Sequence, residues 1–172
     1  MRYEYSLLIR LATLVIFLPS LLYKIFSPLT IYPIYFIYYL LGYSPSLSNN
    51  ILAVNNYNLA FIEACISPYA YYMLLALVML TKDIQLSSRL KMLLLGSILI
   101  LIINLSRIII LIQILLNAGV NAFYNIHIAI WLLGSTVFIV LLWLFLIKIF
   151  KISSIPIYSD LMYLLQYIKR KL

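Results

Sequence analysis

The chain has few of the residues from which most enzymatic sites are built. Its 172 residues include one cysteine, Cys65, one histidine, His127, and four acidic residues. A single cysteine excludes an intrachain disulfide and a zinc site built from cysteines. A single histidine excludes the HExxH motif of metalloproteases, and no Gly-x-Ser-x-Gly element stands beside it. We therefore expect neither a bound metal nor a cofactor.

Charge is also scarce. Charged residues make up 9% of the chain, whereas 66% of residues are hydrophobic and the mean hydropathy is +1.12. A soluble domain cannot bury that much apolar surface, so the chain is predicted to be a polytopic membrane protein. The net charge of +8 comes from basic residues at the ends of apolar segments, where they set topology and meet anionic headgroups. This placement argues against a nucleic-acid partner.

Long apolar windows predict an all-α transmembrane helix bundle of about five to six membrane segments. The first two windows, 6–26 and 29–43, form two helices, or one helix and a tilted or re-entrant piece. Residues 1–151 are predicted to be a single bundle with a catalytic core at about 55–146, and 152–172 an interfacial or cytoplasmic tail helix. The remaining windows are 66–81, 92–117 and 126–150.

Polar segments and basic residues predict the orientation of the bundle. Residues 44–63 are rich in Asn, Ser and Pro, which indicates one polar extracytoplasmic loop with short extended pieces. Neither this loop nor the connection at 118–125 contains Lys or Arg, so both are expected outside a plasma membrane. Basic residues mark the two turns expected in the cytoplasm, namely Lys82, Arg89, Lys91, Lys148 and Lys151.

Three segments each carry one chemically capable residue toward the outer face. Cys65 stands at the start of the third, Arg107 in the outward half of the fourth, and His127 at the start of the fifth. An arginine inside a span costs about 2.5 to 3.5 kcal/mol on insertion scales. Asn104 lies on the same helical face as Arg107, which favours a lined cavity. A structural ion pair or a snorkelling anchor is the alternative for Arg107.

The types of these residues match the requirements of acyl transfer. A lone cysteine is commonly a small buried hydrophobe, but Cys65 lies near a predicted helix N-terminus, where the dipole favours a thiolate. A thiol, an imidazole and a guanidinium supply a nucleophile, a base and a cation for developing negative charge. Glu63 either orients His127, pairs with Arg107, or is an ordinary loop carboxylate.

Three stretches resemble the exosortase/archaeosortase family of membrane-embedded cysteine transpeptidases: EACISPYAYYMLL around Cys65, NLSRIIILI around Arg107 and NAFYNIHIAIW around His127. Members carry a Cys, then an Arg after an Asn in the next helix, then an Arg or His that opens the following helix. A third-place His resembles the archaeal branch. The resemblance implies that Cys65 is the nucleophile, Arg107 an essential partner and His127 the third functional residue.

The chain departs from the family pattern in two respects. Ile66, Ser67 and Pro68 follow the cysteine, where relatives often have a small polar residue and then Gly. The chain is also short and resembles a minimal core with fewer N-terminal spans.

The family implies protein substrates with a C-terminal sorting tail, made of a brief motif, a hydrophobic helix and a basic cluster. Such tails are cut just outside the membrane, and the acyl group passes to a lipid amine, a similar surface anchor or water. Membrane lipid is then both the environment and a candidate acceptor. The alternatives are a non-enzymatic transporter or channel subunit and a structural membrane protein in which Arg107 pairs with Glu63.

Overall fold

The computed structural model describes residues 3–81 and 84–152. Apart from Ile152, the predicted tail helix at 152–172 lies outside these residues. They form five α-helices and one three-stranded sheet, in the order α1 (Tyr3–Ile16), α2 (Pro19–Leu40), β1 (Ser46–Ser48), β2 (Ile51–Val54), β3 (Tyr57–Ala60), α3 (Glu63–Ile66), α4 (Pro68–Leu80) and α5 (Leu86–Ile149).

Two of the described helices are long and apolar enough to cross a membrane. They are Pro19–Leu40, which is α2, and Leu86–Ile130, which is the larger part of α5. This agrees with the prediction of a mainly helical protein associated with a membrane. Three further apolar helices are shorter, at Leu7–Ile16, Pro68–Leu80 and Val137–Ile149. The count of five to six membrane segments stays a prediction.

The first break between helices lies at Leu18 and not at 27–28. Pro19 occupies the first turn of α2, where a missing N–H costs no helical hydrogen bond. Pro28 and Pro33 lie inside α2. Each removes one backbone hydrogen bond, but this part of α2 also buries Ile31, Ile34 and Tyr38 against other elements, and tertiary packing keeps the helix continuous. The boundary expected from the sequence was therefore wrong.

The polar segment at 44–63 contains an antiparallel sheet, which corrects the expectation of an all-α fold. Two Asn-Asn turns close its hairpins, because Ser48 pairs with Ile51 and Val54 pairs with Tyr57. The first asparagine of each turn has a left-handed φ, 53° at Asn49 and 52° at Asn55. Asparagine adopts this conformation more readily than most residues.

The sheet packs on the helices through one apolar face. Leu52 and Val54 alternate with more exposed neighbours along β2 and are fully buried. Their cluster joins the sheet to the C-terminal half of α2, to α3 and to α5, and contains Ile31, Ile34, Tyr38, Leu52, Val54, Phe61, Ile66, Ile108 and Ile112. This end of the molecule holds the candidate site.

Gly119 divides α5 into two halves, 86–118 and 120–149. Its backbone is non-helical, with φ of 78° and ψ of −178°, a region that only glycine occupies readily. The halves fold back on each other, because Met92 and Ile100 of the first share a core cluster with Ile139 and Leu146 of the second. The polar connection expected at 118–125 is thus reduced to a single break, and the helix resumes directly after it.

Candidate functional site

Cys65, Arg107 and His127 line one pocket, at the place where β3, α3 and the two halves of α5 meet. Its volume is about 60 Å³, and a water molecule needs at least about 10–15 Å³ of such space. The pocket therefore has room for several water-sized groups. The rest of its lining is apolar and comprises Leu59, Ala60, Phe61, Ile108, Leu111, Ile112 and Phe123. The structure brings together the three residues selected from the sequence.

Cys65 lies in α3, a single helical turn separated from α4. The turn ends at Ser67, whose left-handed backbone has φ of 57° and ψ of 47°. The Ser67 N–H donates to the Glu63 carbonyl at 2.9 Å, and Pro68 then begins α4. The residue before a proline is disfavoured in the right-handed helical region. Ser67 and Pro68 therefore interrupt the helix, and Cys65 does not open the long third segment expected from the sequence.

Burial dominates the acidity of Cys65. It raises the pKa of the Cys65 thiol above its usual value, whereas the Ile62 backbone and the Arg107 charge lower this pKa by less. The sequence predicted the opposite, a thiolate favoured by a helix dipole. A one-turn helix aligns few peptide dipoles, so this stabilisation is small. The thiol is accordingly protonated at neutral pH, and its attack on a carbonyl requires a base.

Arg107 connects α5 to α3 by hydrogen bonds. Its Nη2 donates to the Ala64 carbonyl at 3.0 Å and to the Cys65 carbonyl at 3.4 Å. Its buried Nε has no hydrogen-bond partner among the described residues. An arginine that donates hydrogen bonds to the last carbonyls of a helix satisfies acceptors that have no partner within the helix. The guanidinium is thus held at the pocket by backbone groups on either side of the thiol.

Asn104 completes this clamp one turn earlier on α5. Its side chain is buried and donates to the Cys65 carbonyl at 2.8 Å. The single O–H of Ser67 is shared between two acceptors, Asn104 Oδ1 at 3.4 Å and the Ala64 carbonyl at 3.3 Å. Asn104 does not line the pocket, so it positions Cys65 through the backbone carbonyl of that residue. Ser67 is the site residue that the sequence reasoning missed, although its place before Pro68 indicated a break in the helix.

His127 lies in the second half of α5 and lines the pocket, whereas Arg107 comes from the first half. Its ring stacks on Phe123, with centroids 5.6 Å apart and planes inclined by 19°. Its buried Nδ1 has no hydrogen-bond partner among the residues that the structure describes. An apolar contact, rather than a carboxylate, therefore orients the ring.

Glu63 does not take either of the supporting roles considered for it. It is the first residue of α3, its side chain is exposed, and it does not line the pocket. The hydrogen bonds of Arg107 go to backbone carbonyls instead. In the described part of the chain, no group of three or more His, Cys, Asp or Glu residues is placed to hold a metal ion.

No protein-family model matches the chain, and neither a curated protein nor a solved structure shows significant similarity to it. The resemblance to exosortases and archaeosortases therefore rests on the three short motifs and on their order along the chain.

Proposed function

We propose that the chain is a membrane-embedded cysteine peptidase or transpeptidase that acts on the C-terminal tails of surface proteins. The observation that carries the proposal is the pocket lined jointly by Cys65, Arg107 and His127. These residues come from α3 and from both halves of α5, and they supply a nucleophile, a cation and a base. Their motifs and order resemble those of the exosortase/archaeosortase family.

Cys65 and His127 carry out the covalent chemistry in two stages. As Cys65 Sγ attacks the scissile carbonyl, the thiol proton passes to His127 and a carbon–sulfur bond forms. The carbon–nitrogen bond then breaks, and His127 returns the proton to the leaving amine. An amine acceptor or water next attacks the thioester carbonyl, and His127 takes the proton of the attacking group. The carbon–sulfur bond breaks, and His127 passes that proton to the Cys65 sulfur and restores the thiol. The products are an amide or an acid and the unchanged enzyme.

Arg107 supports this chemistry through its charge. The Ala64 and Cys65 carbonyls hold its Nη2, so the guanidinium is fixed beside the thiol before any substrate arrives. There it stabilises the oxyanion of the tetrahedral intermediate or positions the substrate backbone. The apolar lining of the pocket lowers the local dielectric constant and strengthens either contribution.

The proposed setting is a multi-pass protein of about five to six spans in the plasma membrane, with the pocket on the outside. Lys148 lies at the end of α5 remote from Gly119, whereas the sheet and the pocket lie near Gly119. The positive-inside rule places the basic end in the cytoplasm. A substrate anchored by its own hydrophobic helix would diffuse in two dimensions, which raises its effective concentration at the pocket.

A structural membrane protein is the second candidate, and one observation favours it. Arg107 donates its hydrogen bonds to the α3 backbone, and an arginine with a purely structural role would make the same bonds. The two functions differ in whether protein processing needs the thiol of Cys65. If the chain is instead a non-enzymatic transporter or channel subunit, protein processing should likewise be independent of Cys65.

The test compares the source cells with cells that carry Cys65→Ser, by mass spectrometry of the C-termini of their membrane proteins. We expect proteins with a hydrophobic tail and a basic cluster to lose that tail only in wild-type cells. Ser106→Ala is the matched control, because Ser106 is exposed on α5 beside Arg107 and does not line the pocket. Unchanged tail removal in Cys65→Ser cells would reject the proposed function.

A further inference from the structure

The edge of β3 next to the pocket carries backbone groups that no other strand among the described residues pairs with. Tyr57 and Val54 flank a two-residue turn, so they form the hydrogen-bonded pair that closes the hairpin. Such pairs alternate along an antiparallel ladder, which makes Leu59 the next residue of β3 to bond β2. The Phe61 N–H donates to the Asn50 carbonyl at 2.8 Å and continues this alternation. The N–H and C=O groups of Asn58 and Ala60 therefore point away from β2.

This edge is open and leads into the pocket. The strand order is β1-β2-β3, and no other strand in the described part of the chain pairs with β3. Asn58 and Ala60 are both exposed. Ala60 and the residues on either side of it line the pocket together with Cys65. An extended segment bonded to this edge would thus run directly toward the thiol.

We propose that β3 binds the substrate as an added strand, so that an extended polypeptide segment pairs with Asn58 and Ala60 and delivers its scissile bond to Cys65. This inference rests on the proposed function and adds the mode of substrate recognition. Strand addition takes its affinity from main-chain hydrogen bonds and its selectivity from pockets for alternate side chains.

The first experiment varies the backbone of the probe. Cys65 is the only cysteine, so alkylation of the purified full-length chain in detergent reports on one site. The probes are Ala-Ala-Ala chloromethyl ketone, the same peptide with N-methylated amides, and iodoacetamide. We expect saturable labelling by the first peptide and labelling about three- to tenfold slower by the methylated one, because one hydrogen bond contributes about 0.5–1.5 kcal/mol. Equal rates for the two peptides would overturn the proposal.

The second experiment varies the edge. Asn58→Pro removes an outward N–H but no hydrogen bond to β2, and proline is tolerated on edge strands. Asn58→Ala is the comparison, because it removes the same side chain and keeps the N–H. We expect Asn58→Pro to be labelled by the unmethylated peptide about three- to tenfold more slowly than Asn58→Ala. Iodoacetamide needs no strand pairing, so its rate should be the same for both variants.

The outcomes separate this inference from the proposed function. Equal peptide labelling of Asn58→Pro and Asn58→Ala rejects strand addition alone, provided that tail removal in cells depends on Cys65. Tail removal that is independent of Cys65 rejects the proposed function and the inference together. If Asn58→Pro changes the iodoacetamide rate, its fold is altered, and the comparison of the two peptides on the unaltered chain decides.

Discussion

Cys65 is a half-buried residue whose thiol should react with alkylating reagents at a more alkaline pH than an ordinary cysteine. Burial raises its pKa, and the Arg107 charge offsets only part of this shift. Only the thiolate reacts with iodoacetamide, and a raised pKa means that the thiolate appears at higher pH. We therefore expect the labelling rate to keep rising with pH beyond the point at which an ordinary cysteine, with a pKa of about 8.5, has reached its plateau. The rate at each pH is measured by quenching the alkylation at set times and determining the labelled fraction by mass spectrometry.

An exposed cysteine supplies the reference for that profile. Asn55 lies exposed in the turn between β2 and β3. In a Cys65→Ala background, the thiol of Asn55→Cys should titrate at a lower pH than Cys65. If Cys65 instead reacts at a constant rate from neutral pH upward, a preformed thiolate–imidazolium pair with His127 is present, and the need for a general base disappears.

The residues of the site were easier to predict than the contacts that hold them. Arg107 and His127 stand out because polar groups are rare in apolar segments, and the order of the segments brought them to one face. The clamp on the Cys65 carbonyl depends on the left-handed turn at Ser67, which directs the α3 carbonyls toward Asn104. Such a turn is set by tertiary contacts as much as by the local sequence, so hydropathy and spacing did not indicate it.

At the level of elements, the sheet was missed because the high hydropathy of the whole chain outweighed the turn signals within residues 44–63. The segment SLSNNILAVNNYNLA contains two Asn-Asn pairs separated by four apolar residues, which is a hairpin signal. The apolar helices on either side favoured an all-helical interpretation, and the segment was expected to be a loop with short extended pieces. Local turn chemistry, and not mean hydropathy, determines the backbone between two helices.

The backbone break at Gly119 separates the half of α5 that carries Arg107 from the half that carries His127, and both residues line the pocket. Substitution of Gly119 tests whether this break sets their arrangement. No atom lies within 4 Å of a Cβ added there, so Gly119→Ala alters only the backbone preference. Its φ and ψ fall in a region that costs other residues about 1–3 kcal/mol. We expect a lower unfolding temperature in detergent and a changed rate of Cys65 labelling, because the two halves of α5 must shift to relieve the strain.

Gly42→Ala is the matched control for this substitution. Gly42 also has a positive φ, 81°, and a Cβ added to it would likewise meet no atom within 4 Å, but it lies between α2 and β1 and not between the two halves of α5. Its replacement should lower the unfolding temperature without changing the labelling of Cys65. If both variants leave the labelling rate unchanged, the break at Gly119 is not what sets the geometry of the pocket.

At the scale of the whole molecule, the two ends differ in charge and in structure. The sheet and the pocket occupy one end, and their segments at 44–63 and 118–125 contain no Lys or Arg. At the other end, Arg89 makes hydrogen bonds that hold two helices together. It is buried, and it donates to the carbonyls of Val78, Met79 and Thr81 at the C-terminus of α4. Two arginines, Arg89 and Arg107, thus bind helix-terminal carbonyls at opposite ends of the molecule.

This polarity predicts which end faces the cell exterior. Asn55 and Gln85 are both exposed, polar and uncharged, and they lie at the pocket end and at the basic end respectively. In a Cys65→Ala background, a membrane-impermeant maleimide added to intact cells should label Asn55→Cys and leave Gln85→Cys unlabelled until the cells are lysed. Neither substitution alters a basic residue, so the charges that set the topology are retained. The reverse pattern would place the pocket in the cytoplasm, where the thiol could not cut tails outside the membrane. Labelling of both positions in intact cells would show that the two ends are not separated by a bilayer.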